Sequence, residues 1–597
     1  MKITRISTLL ALSASLLTLA GCKETLEKVD LGAASEALVF QNESLAFLNL
    51  SYIYDQNLPT WFGQSNVGLG NTSPSILSEE VAGESKFFEG TITQNDVTDF
   101  GTSLSVGNSY GKLRTINTFI QAVSQSPIPS DSRNQLKGEA LFFRAWRYFD
   151  LVRIYGGVPL VLTPLNGVGE EARNEAYLPR NTTTECYNQI ATDLDSAIAY
   201  LPGKWPSADW GRITKGAAAA FKARVLLFAA SPQFNPSDAV AKWQRAYEAS
   251  MEAKAILDAN GFGLHASYDQ LWFQEVNNPE AVLVTGFNNS TGTQNKKSNT
   301  YDNQTRPAYT GTGGGSNLPT WDIVQAYPML DGEKPGESTE YPYSMQLFYK
   351  NRDPRFAKTI AFNGTTWPLN GNANLRIWTY LKGNTSVETS KPTATSFYLR
   401  KAINPTLNLS DVQFAGTDWI EIRYAEVLLN LAESACGANN INEAYTQLKA
   451  IRKRAGILPG TSTMYGLTPG MNRAQMFEAI LYERQIELAF EGKRFWDLRR
   501  WKLFEEKLNG KTREGLTITL KTTAPANFAT IRDNIPLDSL YRTYFTITTN
   551  IRDTRYTAKG IQWKPEYYFF ALPQSTIDNN PSLIQNNTWG GAFDPLQ

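Results

Sequence analysis

Apolar residues recur at helical spacing over most of this chain and lose that spacing in one long middle stretch. The densest run is Leu136 to Pro159, LKGEALFFRAWRYFDLVRIYGGVP. At about 100° per residue, Lys137, Arg144 and Arg147 fall on one side of a helix, and Glu139, Asp150 and Arg153 on roughly the opposite side. Leu141, Phe143, Ala145, Trp146, Tyr148, Phe149, Leu151 and Val152 fill the ground between. A helix apolar over most of its circumference is buried among other elements, so its charges must be paired. Gly156 or Gly157 can take the left-handed position that closes a helix, and Pro159 prevents continuation.

The same spacing predicts helices at Leu38–Tyr54, Asn108–Ser124, Thr182–Leu201 and Trp243–Leu257, with an Ala-rich helix between Gly211 and Pro232. Helices return at Trp419–Cys436, Asn442–Ala455 and Arg473–Phe490. Pairs with small residues at their contact faces resemble degenerate tetratricopeptide units of about 34 residues. From Asn277 to Thr417 the pattern changes, and Gly, Asn, Thr, Ser and Pro punctuate it. Within it, Ala281 to Phe287 reads as a strand, and a short helix starts near Pro319-Thr320 and ends before Pro328. The run Gly311-Thr-Gly-Gly-Gly-Ser lacks the ending and context of a phosphate loop and reads as a flexible loop. The expected fold is therefore mainly α. Two helical regions, 36–276 and 419–597, flank a loop-rich insertion, 277–418, that carries a binding surface.

The first residues are a leader. Lys2 and Arg5 precede an apolar stretch, Ile6 to Leu19, and Leu19-Ala20-Gly21-Cys22 closes it with small residues. This pattern is a secretory signal over 1–21, followed by a polar tether over 22–35. No later apolar run is long enough to span a bilayer. Lys+Arg and Asp+Glu both number 57, which indicates neither a nucleic-acid surface nor a polybasic membrane patch. The single histidine, His265, argues against His-rich metal sites and His-based catalysis. Cys186 and Cys436 fall in helical stretches and read as small buried apolar residues, although an oxidising compartment would let them bridge.

Few residues suggest chemistry. Glu79-Glu80 is the nearest thing to a paired carboxylate in a loop, but glycosidases need carboxyls about 5–10 Å apart across a sugar, which adjacency does not supply. It reads as a solvated turn. The mixed-charge run from Glu483 to Arg500 reads as helix pairs, such as Lys493 with Asp497, beside buried Phe490, Phe495 and Trp496. No zinc motif, nucleophile elbow or dinucleotide fingerprint stands in a supporting context. Loop Asp and Asn are able to bind Ca²⁺, but no EF-hand spacing occurs. The unusual feature is aromatic: 27 Tyr, 30 Phe and 14 Trp, many in Gly- and Asn-rich stretches. Trp61, Phe88, Tyr301, Tyr309, Trp321, Trp367 and Trp378 are the candidate ligand platforms, because an aromatic ring covers the apolar C–H face of a sugar while polar neighbours bond its hydroxyls. Trp61 and Tyr309 have the most polar, glycine-rich surroundings. For each ring taken alone, core burial is the simpler place.

EALFFRAWRYFDLVRIYGGVPLV resembles the signature of the SusD-like (RagB/SusD) family of outer-membrane nutrient-binding lipoproteins. GRITKGAAAAFKARVLL, PTWDIVQAYPMLDG, DWIEIRYAEVLLNLAES, ERQIELAFEGKRFWDLRRW and LPQSTIDNNPSLIQNNTW resemble further family segments, in the family's order. The Cys after Leu-Ala-Gly resembles a bacterial lipobox, which implies cleavage before Cys22 and lipid attachment to it. The resemblance implies a non-enzymatic lipoprotein on the outer membrane, facing the cell exterior. It would bind oligosaccharide, or in some members peptide, above a SusC-like TonB-dependent transporter. A secreted glycan-degrading enzyme is the reading from a different class.

Overall fold

The computed structural model describes residues 39–59, 61, 69, 73–97, 108–165, 169–288, 298–311, 313–552 and 558–597. The leader, the tether and Cys22 lie outside them.

The long helices are α1 (Glu43–Asn57), α2 (Ser109–Gln125), α3 (Ser130–Tyr155), α4 (Thr183–Tyr200), α5 (Lys215–Ala230), α6 (Val240–Ala259), α7 (Tyr424–Gly437), α8 (Ile441–Ala455) and α9 (Arg473–Glu487). They stack largely in sequence: α2 on α3, α3 on α4, α4 on α5, α5 on α6, α6 on α7 and α7 on α8, with α1 against α3 and α9 against α7. Their starts carry side-chain caps, among them Asn42, Asn108, Thr214 and the Thr182–Glu185 capping box. Gly156, at φ 77°, closes α3. The next residue must also be glycine, because a Cβ at Gly157 would lie 2.0 Å from the Asn181 carbonyl oxygen.

Nearly every residue of α3 from Gly138 onward is buried, and its charges are paired as burial demands. Arg144 bonds Asp193 with both Nε and Nη2, at 2.7 and 2.6 Å. Asp150 lies between Arg147 and Arg153, at 2.9 and 2.5 Å. Glu139 takes Arg212 at 2.6 Å and accepts a hydrogen bond from the Tyr54 hydroxyl.

The middle region holds short strands that tie it to both flanks. β1 (Ala281–Thr285) pairs with β6 (Trp419–Arg423), and β2 (Ile360–Phe362) with β5 (Phe397–Leu399). A four-stranded sheet has the order β4 (Thr385–Ser386), β3 (Leu381–Lys382), β7 (Glu514–Leu520), β8 (Phe545–Ile551). The predicted helix Trp419–Cys436 is thus a strand followed by a helix. Trp-Ile-Glu-Ile-Arg suits an extended, half-pleated segment, and pairing with β1 satisfies its backbone. The short helix Trp321–Ala326 lies where expected. Both cysteines are free and buried.

A buried lattice of ion pairs clamps the insertion to the helices. Glu487 on α9 takes Arg355 at 2.7 Å, Arg423 at 2.5 Å and also Arg454. Glu483 takes Arg355 and Arg452, and Glu491 takes Arg423 and Lys401, all within 2.6–2.8 Å. Burial alone would raise the Glu487 carboxyl, but the surrounding guanidinium groups outweigh it and hold it well below the usual range. The mixed-charge run therefore pairs mostly across elements, with Asp497–Arg500 the pair along one helix. Lys493 bonds Glu421 at 2.8 Å, and Asp497 bonds Arg484 and Arg500 at 2.9 and 2.8 Å, in place of the Lys493–Asp497 pair.

Candidate functional site

Six of the seven aromatics singled out in the sequence are core residues. Trp61 stacks on Tyr301 with ring centroids 4.4 Å apart and also packs against Trp272 and Trp419. Trp367 belongs to the same aromatic cluster. Trp321 stacks on Phe397, and Trp378 packs at the edge of Tyr380, in a second cluster. Phe88 is fully buried in the main helical core. These rings gain more by burial than by lying open. The polar residues beside them serve the backbone and the ring N–H groups: Trp61 Nε1 donates to the Thr417 carbonyl at 3.0 Å, and the Tyr301 hydroxyl to that of Lys401 at 2.7 Å.

Tyr309 is different. It is half-buried and packs on the rim of the Trp61–Trp419 cluster. Its hydroxyl accepts from the Trp378 backbone N–H at 3.3 Å. The loops around it are fixed by buried Arg306, which bonds Asp302, the Asn404 carbonyl at 2.5 Å and Asn370 at 3.3 Å. Asn370 in turn donates to the Thr310 carbonyl at 2.8 Å. Gly313 and Gly314, near Tyr309, are closely packed where a flexible loop was expected. A Cβ at Gly313 would meet the Arg306 carbonyl oxygen at 2.2 Å, and Gly314 donates to the Asn303 carbonyl at 2.6 Å. Next to Gly311 stands Leu409, 41% exposed, and Phe414 on the same loop is 46% exposed.

Trp210 and Phe287, also half-buried, pack against the same cluster. Asp418 orients both. It accepts from Trp210 Nε1 at 2.8 Å and from the Phe287 N–H at 2.9 Å. Burial lifts its carboxyl to about 6, against the pull of these two hydrogen bonds. Behind Trp210 a cavity of about 80 Å³ opens between the 204–214 loop and β1, lined by Trp205, Arg212, Asn260 and Phe262. Arg212 lies 3.5 Å from the Trp205 ring centre and pairs with Glu139, which ties the cavity wall to α3. Sequence reasoning missed Trp205 and Trp210. The signal was available, since KWPSADWG sets two Trp in a Pro- and Ser-rich loop.

Glu79 and Glu80 are buried, not a solvated turn. Glu79 pairs with Arg494 at 2.5 Å and accepts from Gln485 at 3.0 Å. Glu80 accepts from the Phe490 N–H at 2.8 Å, and burial lifts its carboxyl to about 7 despite that bond. Among the described residues, no group of three His, Cys, Asp or Glu is placed to hold a metal ion.

Fold and rim together define a class: a stack of tetratricopeptide-like helix pairs bearing a loop-built aromatic surface. The chain belongs to the SusD family, whose model matches residues 279–589. A second family model, described as starch-binding associating with outer membrane, matches residues 66–227. Among curated relatives, SusD-like protein P2 of Formosa agariphila is 24% identical over 405 residues, 66% of this chain and 70% of that one. SusD-like protein P25 of the same organism is 25% identical over 397 residues, covering 63% and 65%. The fold is similar to that of a SusD-like protein from Bacteroides fragilis, with TM-score 0.70, 23% identity and coverage of 93% and 98%. A SusD-like carbohydrate binding protein from the same species gives TM-score 0.69, 24% identity and coverage of 91% and 99%. A laminarin binding SusD-like protein gives TM-score 0.59, 20% identity and coverage of 92% and 99%.

Proposed function

We propose that this protein binds glycan at its aromatic rim without turning it over. It then hands the glycan to a SusC-like TonB-dependent barrel in the outer membrane. The observation that carries this is the half-buried ring of Tyr309, held by loops that Arg306 cross-links. A pre-ordered ring covers a sugar face with little further loss of freedom. Trp210 and Phe287 extend the surface, and Asp418 fixes their orientation. Family membership supports the reading, as do two neighbours described as binding carbohydrate and laminarin. The absence of turnover is supported by Glu79 and Glu80, which are committed to Arg494 and to the Phe490 amide. Lipid attachment at Cys22 would hold the binder on the outer membrane, facing the exterior, and raise its concentration at the transporter.

A glycan array run beside a product-release assay tests the reading. Binding to at least one oligosaccharide, with no reducing ends released, is the expected result. Binding to oligopeptides alone would replace the ligand class, and reproducible product from purified protein would make this an enzyme. For the partner, crosslinking on intact cells followed by gentle detergent extraction should bring down a large outer-membrane barrel. Recovery only as a free monomer would contradict the partnership.

A further inference from the structure

Away from the rim, the turn around Gly332 and the segment before α9 enclose a cavity of about 240 Å³. It shares no residue with the Tyr309 rim or the cavity behind Trp210. Its walls are held rigidly. Gly332 and Gly466, at φ 87° and 76°, pack backbone on backbone, and a Cβ at Gly332 would meet the Tyr465 carbonyl oxygen at 2.3 Å. Only glycine fits both the conformation and the contact.

One wall is Arg452, a cation only 2% exposed. Its Nε bonds Glu483 at 2.7 Å and its Nη1 the Tyr465 carbonyl at 2.9 Å. Its Nη2 has no hydrogen-bond partner among the described residues. The guanidinium lines a space large enough to fill, and Nη2 is the donor it has left over. Opposite in chemistry is the half-buried ring of Tyr482, which also lines the cavity, with Lys334 Nζ 5.5 Å from its centre. Its hydroxyl is already committed to the Ala326 carbonyl at 2.6 Å, so the ring is fixed. The mouth carries Glu333, Glu337 and Glu478 against Lys334, while Arg452 is neutralised by Glu483. Burial and the adjacent Asp331 and Glu337 carboxylates raise the Glu333 carboxyl above its ordinary value.

We propose that this cavity is a second carbohydrate subsite, taking a single neutral sugar unit. Arg452 Nη2 donates to a hydroxyl, the glutamates accept from others, and Tyr482 covers a C–H face. The acidic mouth turns away uronates and other anionic sugars. The proposal rests on this geometry and not on the rim.

The test is saturation-transfer NMR on the mature protein with glucose, galactose, mannose, xylose and glucuronate as probes. The expected result is transfer to at least one neutral sugar and none to glucuronate. In the Tyr309→Ala background, which removes rim binding, Ala479→Trp, which fills the cavity from α9, should abolish it. Glu478→Ala, an exposed position that leaves packing untouched, should weaken binding about tenfold. Tyr309→Ala should leave this signal in place. If Ala479→Trp lowers the melting temperature, Glu478→Ala alone decides. Transfer to no neutral sugar, transfer to glucuronate, a signal that survives Ala479→Trp in the Tyr309→Ala background, no weakening in Glu478→Ala, or loss in Tyr309→Ala would each overturn the proposal.

Discussion

At the scale of single residues, a ring's neighbours and its burial point to different roles. Trp61 and Tyr309 look alike in the sequence, each among polar and glycine-rich residues. In the structure Trp61 is sandwiched between other rings and Tyr309 keeps part of its surface open. Tyr309→Ala should therefore weaken glycan binding by about tenfold or more with an unchanged melting temperature. Trp61→Ala should instead cost about 3–5 kcal/mol of stability, read by chemical denaturation. The reverse pattern would exchange their roles. Glu80 gives a pH signature. Its folded carboxyl titrates near 7, above about 4.3 in the unfolded chain. The protonated group's stabilisation is complete below the unfolded value and is lost as pH rises through about 7. Melting temperature should fall between about pH 5 and 8 in the wild type, and Glu80→Gln should flatten that slope. A parallel slope in the variant would remove Glu80 from the account.

At the scale of elements, the helices and the strand at Ala281 were legible, and the other strands were not. Helical spacing placed α2, α4, α8 and the end of α3 within a residue or two, because burial repeats every turn over many residues. β7 pairs with β8 across the short helices between them and with β3 far back in the chain. Long-range pairing leaves no local mark. The same limit hid the site: loop aromatics were visible, but which of them lie open depends on what distant segments cover. Trp61, for example, is covered by Tyr301 and Trp419. The charge run was legible as paired, and its partners were not, since Glu487 reaches Arg355 and Arg423 on other elements. That lattice joins α8 and α9 to β6 and to the short helix Pro354–Thr359. Glu487→Leu should cost about 3–5 kcal/mol, because it strands several buried cations. Unchanged stability by denaturant titration would show the lattice to be incidental.

At the scale of the whole molecule, a stack of helix pairs carries the loop-rich middle region, and the proposed lipid attachment at Cys22 would supply the address. Cys22→Ala should leave a folded protein that no longer sediments with outer membranes after a salt wash; persistent sedimentation would place the tether elsewhere. The central claim is that an ordered aromatic rim binds glycan. Affinity electrophoresis of the mature protein and its Tyr309→Ala variant through gels containing neutral polysaccharides tests it most directly. The account predicts that at least one polysaccharide retards the wild type and that the variant, equally stable, runs free. Retardation of neither protein by any polysaccharide, or of both alike, would contradict it.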